Sequence, residues 1–236
     1  MTIYYLLLLF YATIPTLLLL ASLKWTYKDL LSSGKLISYL FKFLITISFL
    51  PLLLFTDLDL GIDPVNLVSK VILLATIALA ALGIRLAQRR KCLPFYLEGV
   101  IASFMEEILF RGILFSLVLV IFQNQWVVVA VTSVLFGVWH LKNFYWSGKR
   151  WAIRQFFTTI LFYAPLFSLL RIWTGDIYLA ILAHFINDSF YILASENVRS
   201  KIILWKHNYI VPNTNQASLP EELKGRKYYG KKQKRE

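Results

Sequence analysis

Seven stretches of this chain are apolar over roughly the length of a bilayer crossing, and no other feature limits its fold so strongly. A bilayer core takes about 20 apolar residues as a helix, and hydrocarbon tolerates only segments that satisfy their own backbone hydrogen bonds. The runs are about Thr2–Leu23, Leu36–Phe55, Val65–Leu86, Leu97–Phe122, Trp126–Leu141, Trp151–Trp173 and Ile177–Ser195. The fifth is short for a full span, and the fourth is long and carries three carboxylates and an arginine. Hydrophobic residues make up 58% of the chain and charged residues 16%, against about 25% charged in soluble domains. An all-soluble domain is excluded. A disulfide-stapled fold is excluded as well, because Cys92 is the single cysteine. The first run follows Met1-Thr2-Ile3-Tyr4, with no basic segment before it, so it reads as a retained span rather than a cleaved signal.

The net charge of +12 is explained by where the charges fall. Lys24, Lys28 and Lys35 lie between the first two runs; Arg85, Arg89, Arg90 and Lys91 between the third and fourth; Lys142, Lys149 and Arg150 between the fifth and sixth. The alternate connections carry Asp57, Asp59 and Asp63, then the neutral Gln123-Asn124-Gln125, then Thr174-Gly175-Asp176. The positive-inside rule therefore predicts an N-terminus outside and a C-terminus in the cytoplasm. All but Lys70, Arg111 and Arg171 of the 25 Lys and Arg then face inward. The charge reports orientation and contact with anionic lipid, not nucleic acid binding. The expected architecture is all-α: a polytopic integral membrane protein whose seven or so transmembrane helices enclose a cytoplasm-facing cavity. Residues 1–92 supply N-terminal transmembrane helices, 93–196 a membrane core, and 197–236 a basic, disordered cytoplasmic tail.

Ionisable groups inside a span are costly and mark candidate functional sites. Run four holds Glu106-Glu107-Ile108-Leu109-Phe110-Arg111. Glu107 and Arg111 are four apart on one helix face and can neutralise each other, which equally fits an ion-paired packing site. Glu106 is rotated about 100° away with no counter-charge in its own turn, as suits a proton-transfer group. Run five ends Phe136-Gly137-Val138-Trp139-His140, with Phe136 and His140 four apart; alone, His140 reads as an interfacial residue. Run seven holds His184-Phe185-Ile186-Asn187-Asp188, and His184, Asn187 and Asp188 can share a side of the helix. At ~1.5 Å per residue, Glu106 lies roughly 14 Å from the inner end of its run and His184 roughly 11 Å from the outer end of its own. His140 lies close to the inner end. These heights allow one cavity, provided the helices pack together.

A glutamate, two histidines and an Asn/Asp pair support three chemistries. One is a glutamate–histidine base acting on water, with other polar groups at the oxyanion. Another is a zinc site with His140, His184 and Glu106 as ligands. The third is proton coupling in a transporter, which the lack of an inverted repeat or of paired Gly/Pro-broken spans disfavours. Zinc is disfavoured too. A metal-bound histidine normally has a partner on its other ring nitrogen, and in sequence only His184 has an evident one, Asp188. Using Glu106 as ligand would also remove it as base.

Taken in order, Glu106-Glu107-xxx-Arg111, Phe136-xxx-His140 and His184-xxx-Asp188 resemble the three-motif signature of the CPBP (Abi) family, over about Glu98–Ile192. That family includes type II CAAX prenyl proteases and bacteriocin-processing and immunity proteins. The resemblance implies an all-α membrane core with a conical cavity and an intramembrane endopeptidase of the glutamic type. By it, Glu106 activates water with help from His140, His184 and Asp188 stabilise the oxyanion, and Glu107 and Arg111 hold the first motif. Substrates would be membrane-associated proteins or peptides. The alternative is a catalytically silent scaffold or bacteriocin-immunity protein on the same fold. The best-known CAAX proteases have asparagine where Asp188 stands. Either Asp188 is protonated, or it orients His184, or Asn187 supplies the amide. Nothing in the sequence specifies an oligomeric state.

Overall fold

The computed structural model describes residues 2–13, 56–89, 93–141 and 149–189. The second apolar run, Cys92, the Lys24–Lys42 and Lys142 charges and the 197–236 tail lie outside the described residues, as do the ends of the first and seventh runs. The described chain is helical and contains no strand. Helix α1 is Thr2–Thr13 and α2 is Leu67–Arg89. Helix α3, Leu93–Glu107, passes into a π-helical segment, Ile108–Leu114, and then into α4, Phe115–Phe122. Helix α5 is Gln125–His140. Helix α6, Lys149–Thr158, runs through a second π segment, Thr159–Tyr163, into α7, Ala164–Thr174, and α8 is Tyr178–Asp188.

Local chemistry explains the boundaries. Asn66 precedes α2 and its side-chain oxygen accepts the Ser69 N–H at 3.0 Å, satisfying one of the donors a helix start leaves open. The neutral connection between α4 and α5 is a two-residue turn: Gln123 adopts φ 51° and bonds back to Leu119, and Asn124 accepts from Trp126 and Val127. Helix α7 stops at Gly175, whose φ of 80° is open to glycine at low cost. Pro165 stands in the first turn of α7. It has no N–H to bond backward, and the turn before it is widened into the π segment.

Two helices, Leu67–Arg89 and Ala152–Thr174, are long and apolar enough to cross a membrane. Both are mostly exposed, which sets them apart from the core helix of a water-soluble protein. On α2, Leu67, Val68, Val71, Leu74, Ile77 and Leu82 face outward while Ser69, Thr76, Gly83 and Ala87 are buried. Small residues at the contact and large apolar ones outside are the pattern of a helix packed in lipid. The apolar exposure supports a membrane location.

The core gathers where the π segment meets α5, α7 and α8. Met105, Leu109, Phe110, Ile113 and Leu114 pack with Phe136, Trp139, Phe167 and Ala180. Helix α8 packs on α3, α7 and α2, and α5 packs on α4 and α7. The expectation that the motif-bearing runs pack together is met.

The acidic 56–66 connection is fastened to the same bundle. Leu58 and Leu60 pack against the main core. Ser116 donates to the Asp59 carbonyl, and Tyr178 donates to the Ile62 carbonyl. Arg171, one of the three basic residues that topology left unexplained, is 5% exposed. It donates to the carbonyls of Gly175 at 2.6 Å and Asp59 at 3.0 Å. Gly61, at φ 62°, sits where a Cβ would run into that guanidinium.

Candidate active site

Three helical turns converge on one carboxylate. The last turn of α3 carries Glu106, buried at 3% exposure. Its Oε1 accepts the indole N–H of Trp139 at 2.8 Å. Its Oε2 lies 3.9 Å from His140 Nε2 and 3.8 Å from His184 Nε2. The three histidine and carboxylate groups predicted from separate runs are thus brought to one oxygen.

The end of α5 fixes His140. Its Nδ1 lies 2.8 Å from the Phe136 carbonyl, one turn back. A carbonyl only accepts, so Nδ1 carries the proton, and in the neutral ring Nε2 keeps its lone pair toward Glu106. The Phe136 ring meets His140 edge-on with centroids 4.6 Å apart and His184 at 6.0 Å. Phe136 therefore serves the site twice, by its backbone and by its ring.

His184 is held from three sides. Its Nδ1 is 2.7 Å from Glu107 Oε1, its Nε2 is 3.3 Å from Asp188 Oδ2, and its ring stacks on Phe167 at 5.1 Å. Both nitrogens therefore have an acceptor to donate to. Asn187 donates its amide to Asp188 Oδ1 at 2.8 Å. Asp188 thus stands in contact with both His184 and Asn187. Asp188 is also the most open member, with 35% of its side chain exposed against 4% for His184 and 12% for His140.

Glu107 and Arg111 form the ion pair their spacing predicts, at 3.2 Å and with both side chains fully buried. Arg111 also donates to the Ala164 carbonyl at 3.0 Å, and its guanidinium lies over the rings of Phe136 and Phe167 at 4.5 and 5.2 Å. The pair does more than neutralise itself. It ties α3 to α7 through Ala164 and to α8 through His184. Breaking such a buried pair from one side typically costs about 3–5 kcal/mol. Both residues flank or lie in the π segment; such widened turns recur at functional sites.

The sequence reading missed Trp139 and Phe167. Trp139 had a readable signal: it sits beside His140 at i+3 from Phe136, and a buried indole N–H needs an acceptor. Phe167 had none, since nothing in its own run marks it.

Among the described residues, no three His, Cys, Asp or Glu side chains are arranged to hold a metal ion. One premise taken from the sequence is corrected: His140 does have a partner on its other nitrogen, the Phe136 carbonyl, and the second partner of His184 is Glu107.

Residues 88–190 match one protein family, type II CAAX prenyl endopeptidase Rce1-like. The matched segment agrees with the resemblance to the CPBP family. The Rce1-like segment contains all three motifs, from Glu106 to Asp188, and ends just past the last. That family generally comprises membrane-embedded proteases, and the match supports a protease at the family level. No curated protein and no solved structure matches the chain.

Proposed function

We propose that the chain is an active intramembrane endopeptidase that cuts a peptide bond in a membrane-associated protein or peptide. The observation that carries this is the placement of one buried carboxylate oxygen, Glu106 Oε2, between two imidazole nitrogens at 3.9 and 3.8 Å. The same carboxylate accepts the Trp139 indole N–H on its other oxygen, so Oε2 is turned toward the two histidines.

In the proposed reaction, Glu106 takes a proton from water as the water oxygen attacks the scissile carbonyl carbon. His140 Nε2 shares in orienting that water. The carbonyl becomes a tetrahedral oxyanion, and His184 Nε2, held at its far side by Glu107, donates to it. The proton then passes from Glu106 to the departing nitrogen. The C–N bond breaks, and a carboxylic acid and an amine result; passage of the acid proton to the amine gives a carboxylate and an ammonium. Asp188 orients His184 in this scheme. No metal takes part. The catalytic unit is residues 93–196, in a bundle of about seven spans whose cavity opens to the cytoplasm through the Asp188 side, with the N-terminus outside and the 197–236 tail inside. The family match supports a CAAX-like substrate, with the bond cut near a lipid-modified end.

The test uses purified protein in liposomes and a quenched fluorogenic peptide ending in a farnesylated CAAX sequence, alongside an unmodified membrane peptide. Cleavage of either, abolished by Glu106→Gln in folded protein, is the expected result. A silent scaffold or immunity protein would cut neither, and its function in cells would survive Glu106→Gln.

A further inference from the structure

We propose that Trp139 is a positioning residue that fixes the plane of the Glu106 carboxylate, so that its second oxygen is aimed at the substrate water. This rests on the reading of Glu106 as the base. A carboxylate can turn about its last bond, a torsion with broad preferences, and so point its second oxygen away from the reacting water. Here Oε1 is taken by the Trp139 indole at 2.8 Å. Oε2 is thereby the oxygen presented to both histidines.

The indole is suited to this task. It has a single donor and no acceptor, so it can bind the carboxylate without competing for its proton. It is 2% exposed, and an indole N–H buried that deeply needs a partner. The ring is braced edge-on against Phe110 at 5.6 Å, and Phe110 in turn packs on Phe136 at 4.7 Å. Residue spacing completes the device. Phe136, Trp139 and His140 stand at i, i+3 and i+4 on one face of α5. One helical turn therefore orients His140 through the Phe136 carbonyl and the glutamate through Trp139. Base and histidine keep their relation if α5 shifts, because both are referred to the same turn.

Two measurements on the full chain test this. In the first, Trp139 is replaced by 3-benzothienylalanine, which keeps the shape of the indole but has sulfur in place of N–H, and separately by Phe. With the farnesylated peptide as probe, each should lower kcat about ten- to a hundredfold, the loss of a hydrogen bond to a charged group. KM should stay within about twofold and the benzothienyl variant should melt with the parent. A benzothienyl variant with the parent's kcat would overturn the proposal and leave Trp139 as packing. In the second, the seven tryptophans are labelled with ¹⁵N in the indole, and Trp139→Phe identifies the Trp139 signal. Its proton resonance should move upfield in Glu106→Gln, as a charge-assisted bond becomes a neutral one, and an unmoved signal would refute the contact. Failure of the functional reading is distinguishable: the Glu106→Gln variant would then cut as well as the parent while the indole signal still moved.

Discussion

Two neighbouring glutamates of the same chemistry should respond oppositely to the same isosteric change. In Glu107→Gln the carboxylate that meets both Arg111 Nη1 at 3.2 Å and His184 Nδ1 at 2.7 Å becomes an amide. Both donors meet Oε1, so the amide oxygen can still accept from them, but the negative charge is gone and the NH2 replaces Oε2, a buried atom with no hydrogen-bond partner among the described residues. Arg111 is fully buried and would lose its bonded carboxylate, so a cost of about 3–5 kcal/mol is expected. In a chain of this length about 1 kcal/mol lowers Tm by roughly 2–4 °C, so Tm should fall by about 6–20 °C. In Glu106→Gln the amide oxygen can still accept from Trp139, and the Glu107–Arg111 pair is left intact. Stability should stay within about 1 kcal/mol, while kcat drops about 10²–10⁴-fold with the loss of the base. Thermal unfolding in detergent and peptide cleavage, run side by side, read the split. A Glu107→Gln variant as stable as the parent would refute the structural role drawn from the ion pair. A Glu106→Gln variant with near-parental turnover would refute the base assignment.

Other expectations follow from single contacts. In a background lacking Cys92, cysteines at Asp57 and Lys234 should label from opposite sides of the membrane; same-side labelling would overturn the N-out, C-in topology. Arg171→Met removes two charge-assisted bonds to carbonyls of Gly175 and Asp59 and should speed amide exchange in 56–66 and lower stability by about 2–3 kcal/mol; unchanged exchange there would show that the latch carries nothing. Asp188→Asn can still accept from His184 Nε2, so turnover within about tenfold of the parent is expected, with Asp188→Leu much lower; equal losses in both would point to the charge itself. Exhaustive chelation should leave cleavage intact and the protein with well under one zinc per chain, and stoichiometric zinc whose removal stops turnover and whose return restores it would sink the metal-free scheme.

The helices and the site were legible to different depths, for a physical reason. Apolar runs are a property of one segment against the lipid, so the third to sixth runs appear as helices within a few residues of their expected ends, and the seventh begins where expected. Pairs within one helix are equally local. Glu107 with Arg111 and His184 with Asp188 needed only a spacing of four, and both pairs stand at contact distance. The convergence of Glu106, His140 and His184 was readable only as compatible depths, because no residue states which helix lies beside it. The Glu107–His184 contact, 77 positions apart, was hidden for that reason, and Glu107 looked satisfied by Arg111 alone.

Arg171 shows what a stricter accounting of burial can recover. An arginine on the apolar side of an outward-facing connection has no business in lipid, and its guanidinium has five donors to place. The nearest groups available at that height were the acidic 57–63 segment and the end of its own helix at Gly175, and those are the partners found. The same accounting applies to Trp139. Its run placed it within a turn of Phe136 and beside His140, facing a core, and it could not be buried without an acceptor. Glu106, on a run expected to touch its own, is the acceptor it takes. A buried indole N–H and a buried carboxylate on runs expected to touch are therefore evidence for one another before any coordinate is known.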